Sequence, residues 1–429
     1  MKKVLMVSYA FPPVGGGGVQ RSLKFTKYLR EFGWEPIVLT VANPSVPLVD
    51  LHLTKDVPTG IKIYKAKTCE PQYSSKRKFS TGSNPLKLFV SGALKRIATN
   101  VLLPDFQILW WPGLCSKLIK ILKTENLDCI FVSGPPFSTF IPVVFLGKIF
   151  KIPVIIDYRD EWRYLRSQLE NLSNSRLARK LDNYFEKYCL NHCSVFTAAS
   201  KAYIEDIEER YKIEKPIRGV CITNGFDTDD FADQAKKPMK VQDTVNIVFS
   251  GTIWKGTSLR NFLKATEQLL TSKPYLKKKM KFKIFGRIVD SEMADFRTEA
   301  IQDIIEIGGY IDHKAIIHEI QNADILLMSI VDTSGADRII LGKTFEYMAT
   351  GKHILALIPE GETEQLLKYN YGNATIVEPE NIERIAEAVL RIVENIDSIN
   401  SVVSKDISQF SRKELTEKLS GVFNSTVLL

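Results

Sequence analysis

Four stretches of the chain set anion-binding or charge-moving residues directly after an apolar run. The first is Tyr9-Ala10-Phe11-Pro12-Pro13-Val14-Gly15-Gly16-Gly17-Gly18-Val19-Gln20-Arg21. Consecutive glycines let backbone N–H groups come close to a ligand, and a helix opening after them favours an anion at its start. It is not a dinucleotide fingerprint, because the G-x-G-x-x-G spacing and the acidic residue after the next strand are missing. The second is Ser250-Gly251-Thr252-Ile253-Trp254-Lys255-Gly256, which mirrors the glycine loop in the second half. The third, Gly342-Lys343-Thr344-Phe345-Glu346-Tyr347, reads as a helix start that offers amides and the Lys343 ammonium to phosphate. Asp337 stands where a Walker A loop needs glycine, so the P-loop is excluded. Glu346 in the first turn is also what the helix dipole alone favours. The fourth is Asp157-Tyr158-Arg159-Asp160-Glu161-Trp162. Three carboxylates and an arginine are costly to bury and suit polar chemistry at a sheet edge; an ion pair that seals the loop is the plain alternative.

These loops need rigid elements behind them. Apolar runs lie at 4–10, 36–41, 61–66, 127–133, 153–158 and 195–199, and again at 245–250, 281–285, 304–308, 323–329, 353–358 and 374–377. Most are rich in Val, Ile and Leu without clean alternation, as parallel strands covered on both faces are. Amphipathic patterns such as 20–32, 258–271 and 382–396 alternate with them, which predicts βαβ units and doubly wound parallel α/β sheets. A dozen strands exceed the roughly ten that one open sheet holds. Two Rossmann-like domains are therefore expected, 1–215 and 216–405, with a final helix at 406–424 free to pack back on the first.

Composition narrows the class further. The 429 residues are 45% hydrophobic and 25% charged, which excludes a disordered or fibrous chain. No uninterrupted apolar run reaches the ~18–20 residues that span a bilayer. The first residues read as a buried strand rather than a signal peptide, so a cytoplasmic protein, or one peripheral on the inner face of the membrane, is expected. Six cysteines in so long a chain make no disulfide scaffold. Cys189 and Cys193 lack the further ligands a zinc site needs and are expected to be buried thiols. The net charge of +9 sits in segment 62–123, where twelve basic residues face only Glu70 and Asp105. Leucines, Trp110 and Trp111 interleave with them, which suits an anionic membrane surface or an ordinary insertion with one buried face. No nucleic-acid recognition motif accompanies the charge, so no nucleic-acid partner is expected.

Four phosphate-friendly loops on two facing Rossmann halves resemble the GT-B fold, and the motifs resemble those of retaining glycosyltransferases of family 4. The resemblance covers nearly the whole chain. The glycine loop with Val19-Gln20-Arg21, Ser133-Gly134-Pro135-Pro136-Phe137, Asp157–Trp162 and Ile222-Thr223-Asn224-Gly225-Phe226-Asp227 fall in the family's order. So do Gly251 with Lys255-Gly256, Gly309-Tyr310, Ala323-Asp324, Gly342–Tyr347 and Gly351-Lys352.

The resemblance implies that the second domain binds the nucleotide of an activated sugar. Lys255 would then meet the diphosphate, Glu346 the ribose hydroxyls, and Tyr310 and Ile311 the base. The Gly15–Gly18 loop would close over the diphosphate and sugar from the other side. Fixed N–H and ammonium groups stabilise a departing nucleoside diphosphate, so neither a metal nor another cofactor is expected. Two positions depart from the family. Arg159 replaces a histidine that points at the sugar in many members, which leaves Asp157 or Asp160 for that contact. Arg338 replaces the first glutamate of the E-x7-E pair, which normally touches the donor sugar; a cation there either favours an acidic sugar or marks a rearranged loop. The implied activity is retaining transfer of a sugar from a nucleotide diphosphate sugar to a lipid-linked or saccharide acceptor. Its implied setting is bacterial cell-surface polysaccharide or glycolipid assembly. The same fold admits a non-hydrolysing sugar-nucleotide 2-epimerase, and the departures admit a catalytically silent sugar-nucleotide-binding partner subunit.

Overall fold

Every pair of neighbouring strands in the two sheets of the computed structural model is parallel. The structure describes residues 1–73, 102–168, 175–211, 219–232, 244–296 and 298–428. The chain divides into two units, Met1–Thr223 with Arg412–Leu429, and Asn224–Ser411.

The first unit holds β1 (Lys2–Ser8), β2 (Trp34–Val41), β3 (Lys62–Ala66), β4 (Cys129–Gly134), β5 (Val154–Tyr158), β6 (Val195–Ala198) and β7 (Gly219–Cys221). They lie in the order β3-β2-β1-β4-β5-β6-β7. Its helices include α1 (Gln20–Tyr28), α2 (Trp111–Thr124), α3 (Phe140–Phe150), α4 (Trp162–Gln168), α5 (Arg176–His192) and α6 (Lys201–Tyr211). The strands show no alternation in sequence because both faces are covered. Val4, Met6 and Phe131 pack with Leu23 and Phe25 of α1, while Leu5, Val7 and Val132 pack with Leu118 of α2 and Val143 of α3.

The second unit holds β8 (Val245–Ser250), β9 (Met280–Phe285), β10 (Ile305–Gly309), β11 (Ile325–Ser329), β12 (His353–Leu357) and β13 (Ala374–Val377), in the order β10-β9-β8-β11-β12-β13. With them come α7 (Arg260–Ser272), α8 (His313–Asn322), α9 (Gly342–Ala349) and α10 (Ile382–Glu394). The final helix, α11 (Arg412–Val427), belongs to the first unit. Its Phe423 meets Trp34 and Phe131 edge-on, with ring centroids 5.2 and 5.7 Å away.

One sequence expectation needs adjustment. The expected border at 215/216 lies instead at 223/224, because β7 extends the first sheet; three half-buried residues carry too little apolar signal to read as a strand. The sequence leaves Trp110 and Trp111 open to a membrane surface or a buried face, and both indoles bond within the protein. Trp110 is fully buried and its indole N–H donates to the Ala66 carbonyl at 3.0 Å, while Trp111 donates to the Ser138 carbonyl at 2.9 Å. Residues 74–101 of the basic segment, with Lys76, Arg77 and Lys78, lie outside the described residues. Among the described residues no helix is long and apolar enough to cross a membrane. Cys189 is fully buried and Cys193 half-buried, both are unpaired thiols, and burial pushes Cys193 up to about 12.

Each sheet reverses its strand order once, between β1 and β4 and between β8 and β11. Open α/β sheets bind ligands outside the carboxyl ends of their strands at such a switch point.

Candidate functional site

In the second unit, β8 and α9 build the switch point together. Gly251 leaves β8 at φ +126°, and Gly286, which follows β9, is pressed against it. A Cβ on Gly286 would fall 2.1 Å from the Gly251 carbonyl oxygen, so that position admits no side chain. Helix α9 is tied to the same strand end. Tyr347, buried on its inner face, accepts from the Ser250 N–H at 2.8 Å. The Lys343 ammonium donates to the Ser250 carbonyl at 3.0 Å and stands 3.6 Å from the centroid of the Phe249 ring. Burial brings its pKa down to about 7, against an opposing pull from Glu346.

Lys343 stands in the opening turn of α9 and Glu346 three residues on, past the first turn where the sequence put it, and both are partly exposed. The Glu346 carboxylate lies 3.2 Å from His313 Nε2, and His313 Nδ1 lies 3.9 Å from Asp230 Oδ2. Gly251, Lys255 and Gly342 are exposed at the same sheet edge, whereas Thr344 points inward and is fully buried. Lys255 stands on the short turn after β8, which is bonded to the loop after β11 through Val331 N–H and the Gly256 carbonyl at 3.1 Å. Tyr310, 40% exposed, and Ile311 follow β10, two strands from β8. Arg338 occupies a turn after β11, 3.8 Å from the Asp337 carboxylate. The arrangement offers an anion two lysines, exposed backbone at glycines and the first turn of a helix, with a carboxylate beside them for hydroxyl groups.

The equivalent edge of the first unit is closed by its own charges. Arg21 grips Asp157 through two hydrogen bonds of 2.9 and 2.7 Å, and its third nitrogen donates to the Thr223 carbonyl at 2.7 Å. Ser133 and Thr197 each donate to Asp157 at 2.7 Å. Both partners of the pair are buried. Burial alone would raise the Asp157 pKa, but the Arg21 charge and these four donors outweigh it and hold the carboxyl below the usual range. Asp157, one of the two carboxylates left for the sugar contact, thus has both oxygens bonded internally and ties α1 to β4, β5 and β6.

Arg159 is likewise a clamp. Its guanidinium donates to the carbonyls of Gly18 at 2.5 Å and Pro135 at 2.9 Å, and lies 3.6 Å from Asp160. A Cβ on Gly18 would meet that guanidinium at 3.3 Å, which suits a glycine in the last place of the loop. Gly15 is fixed by its N–H to the Leu48 carbonyl at 3.0 Å, Gly16 takes φ +93°, and Gly17 is exposed. Asp160, 48% exposed by its side chain, is the carboxylate of this turn that faces solvent.

Ser133 entered the sequence reading only as the start of the Ser133–Phe137 motif, and His313, Asp230 and Thr197 were not singled out as parts of a site. Only His313 carried a signal, lying three residues past Tyr310 at the start of a helix capped by Asp312.

The model of Glycosyltransferase Family 4 matches residues 15–230, and that of Glycosyl transferases group 1 matches residues 244–395. No curated protein matches the chain at a significant level of sequence similarity. Among solved structures, Anabaena HepE in complex with UDP is 12% identical, with 99% of this chain and 100% of that one covered and a TM-score of 0.63. A structure described as trehalose-6-phosphate from E. coli bound with UDP-2-fluoro glucose is 13% identical over 98% and 99% of the chains, with a TM-score of 0.63. S. aureus TarM, in complex with UDP and two sugar ligands, is 11% identical over 99% and 100%, with a TM-score of 0.62. At such identities the likeness is one of fold, two Rossmann-like units of the GT-B kind. The family model spans half of the sequence, including the clamped glycine loop, and the second model spans the lysine-bearing edge; the chain belongs to glycosyltransferase family 4 and is a transferase.

Proposed function

We propose that the second unit binds a nucleotide diphosphate sugar at the carboxyl ends of β8 and β11, and that the enzyme transfers the sugar with retention to an acceptor held by the first unit. The observation that carries this reading is Lys343. Its ammonium rests on one carbonyl and one aromatic face at the opening of α9, where a diphosphate oxygen is a stronger partner than either. The anion keeps the ammonium protonated, and Lys343, Lys255 and the amides of Gly342 and Lys343 then stabilise charge on the departing nucleoside diphosphate. Glu346 accepts the ribose hydroxyls, and His313 holds its carboxylate in place. Tyr310 and Ile311 lie against the base. These groups need no metal, so chelator leaves transfer intact.

Asp157 is enclosed, so Asp160 is the carboxylate of the turn we assign to the sugar or acceptor. Its replacement by Asn lowers turnover more than donor affinity, as expected of a group acting in the transition state. The setting we propose is bacterial cell-surface polysaccharide or glycolipid assembly at the inner face of the membrane, with a lipid-linked or saccharide acceptor. Support comes from the family membership and from solved structures of this fold that carry UDP or UDP-glucose.

Calorimetric titration with a panel of nucleotide sugars tests the reading. One donor should bind, with its affinity lost in Glu346→Gln, and nuclear magnetic resonance of the product should show the donor's anomeric configuration. Conversion of the donor to its 2-epimer without acceptor would overturn it.

A further inference from the structure

Helices α2, α3 and α5 each lead into the parallel strand that follows, β4, β5 and β6, so they run side by side in one direction, with α3 packed between α2 and α5. Their outward faces share one character. Lys120 and Lys123 of α2, Lys148 of α3, and Lys180 and Lys187 of α5 are all exposed. The three helices contain only two acidic residues, Asp182 and Glu186, and both are buried. Asp182 is paired with Arg166, and Glu186 accepts from Tyr203 at 3.1 Å, Tyr211 at 2.5 Å and Arg210 at 2.9 Å. No carboxylate of these helices therefore faces outward.

Large apolar side chains stand among the lysines. Phe145 and Ile149, one turn apart on α3, are 52% and 57% exposed, and Leu177 and Tyr184 of α5 are 61% and 65% exposed. A face whose only exposed charges are basic, studded with Phe, Ile, Leu and Tyr, differs from an ordinary solvated one. The neighbouring elements show the contrast. Helix α6, which meets α5 at Glu186, turns Glu205, Glu208 and Glu209 outward, and α11 on the opposite face of the sheet mixes Lys413 and Lys418 with Glu414 and Glu417.

We propose that the α2–α3–α5 face of the first unit docks on an anionic lipid bilayer. The lysines meet the headgroup charge while their stems, with Phe145, Ile149, Leu177 and Tyr184, enter the interface. A nucleic acid would use the charge but leave the aliphatic side chains unmatched. Its α2 lysines belong to the basic segment 62–123 while α3 and α5 lie outside that segment, and none of its residues belongs to the donor site, so the two readings succeed or fail separately.

Co-sedimentation of the full-length protein tests it, with vesicles of phosphatidylcholine alone and of phosphatidylcholine with phosphatidylglycerol at about three to one. The wild type should bind the acidic vesicles and be released by salt, since each engaged lysine is worth about fivefold in partition and is screened over ~8 Å at physiological ionic strength. The triple variant Lys120→Ser, Lys148→Ser, Lys180→Ser should lose about a hundredfold. Phe145→Ser with Ile149→Ser should lose the binding that survives high salt. Lys413→Ser with Lys418→Ser should bind as the wild type does. Unchanged melting curves and donor affinity accompany each variant. The proposal is overturned if the triple variant binds as well as the wild type, if both vesicles bind equally or not at all, or if the triple change weakens only binding to polyuridylate.

Discussion

The two units end their central strands in opposite ways. In the first, the cation beside the glycine loop and the carboxylate at the end of β5 are spent on each other: Arg21 and Asp157 are both buried, and every oxygen of Asp157 is bonded within the protein. In the second, Lys343 holds a single carbonyl at 3.0 Å and Glu346 a histidine at 3.2 Å, on partly exposed side chains. Parallel sheets of similar design thus put charge at the same topological position for two purposes. A buried pair with complete hydrogen bonding sets the geometry of a loop, whereas a charge with a weak internal partner at the surface is available to a ligand. Residue type alone does not separate the two.

Breaking the buried pair gives the largest effect. Arg21→Met leaves Asp157 enclosed without its cation, which should cost about 3–5 kcal/mol of stability in thermal unfolding. Donor affinity of the folded fraction should stay at the wild-type value; a loss of both together would show that the two edges do not divide the labour in this way. The pH dependence has a definite sign. Because Asp157 is held below the usual carboxylate range, its contribution is complete above that range and is lost as pH falls through it towards the lowered value.

The next effect belongs to the open edge. Glu346→Gln should keep the wild-type melting temperature and weaken donor binding by about 1.5–3 kcal/mol, roughly ten- to over a hundredfold by calorimetry. Lys343→Met should weaken it by about 1.5 kcal/mol and also change its pH profile. With a pKa near 7 in the free protein, Lys343 must take up a proton to hold a diphosphate above that pH. Wild-type affinity should therefore fall as the pH rises past about 7, and the fall should be missing from Lys343→Met. The smallest effect is expected of His313→Gln, about 0.5–1.5 kcal/mol in donor binding, because it removes only the support of Glu346. If His313→Gln matched Glu346→Gln, the histidine would touch the donor itself.

The fold was largely legible because buried parallel strands announce themselves by composition. Twelve runs of Val, Ile and Leu correspond to twelve of the thirteen strands, and β7 escaped because Gly219, Val220 and Cys221 are short of both length and burial. The residues of the site were legible as types but not as partners. Arg21 and Asp157 lie 136 residues apart and His313 and Glu346 lie 33 apart, separations over which no periodicity links two positions. The acidic turn shows the limit most clearly. Asp157 and Asp160 look alike in sequence, yet the pleat of β5 turns one into the interior and the turn after it puts the other in solvent. The tryptophans of the basic segment stayed open between two readings for a related reason: an indole among lysines reads the same whether it faces lipid or, as Trp110 does, the Ala66 carbonyl.

Helix α11 also fixes an order of events. The first unit is interrupted in sequence by the whole of the second, since Leu415, Leu419, Val422 and Phe423 complete the apolar layer over β1, β4 and α1. During synthesis that layer stays bare while Asn224–Ser411 is being made, and it closes only when Arg412–Val427 has been added. The intervening unit has its own core and can fold meanwhile, so a nascent chain carries a finished second unit and an unfinished first one. A ribosome-bound chain stopped before Arg412 should expose Trp34 and Phe131, and hence be a substrate for chaperones until the last helix arrives.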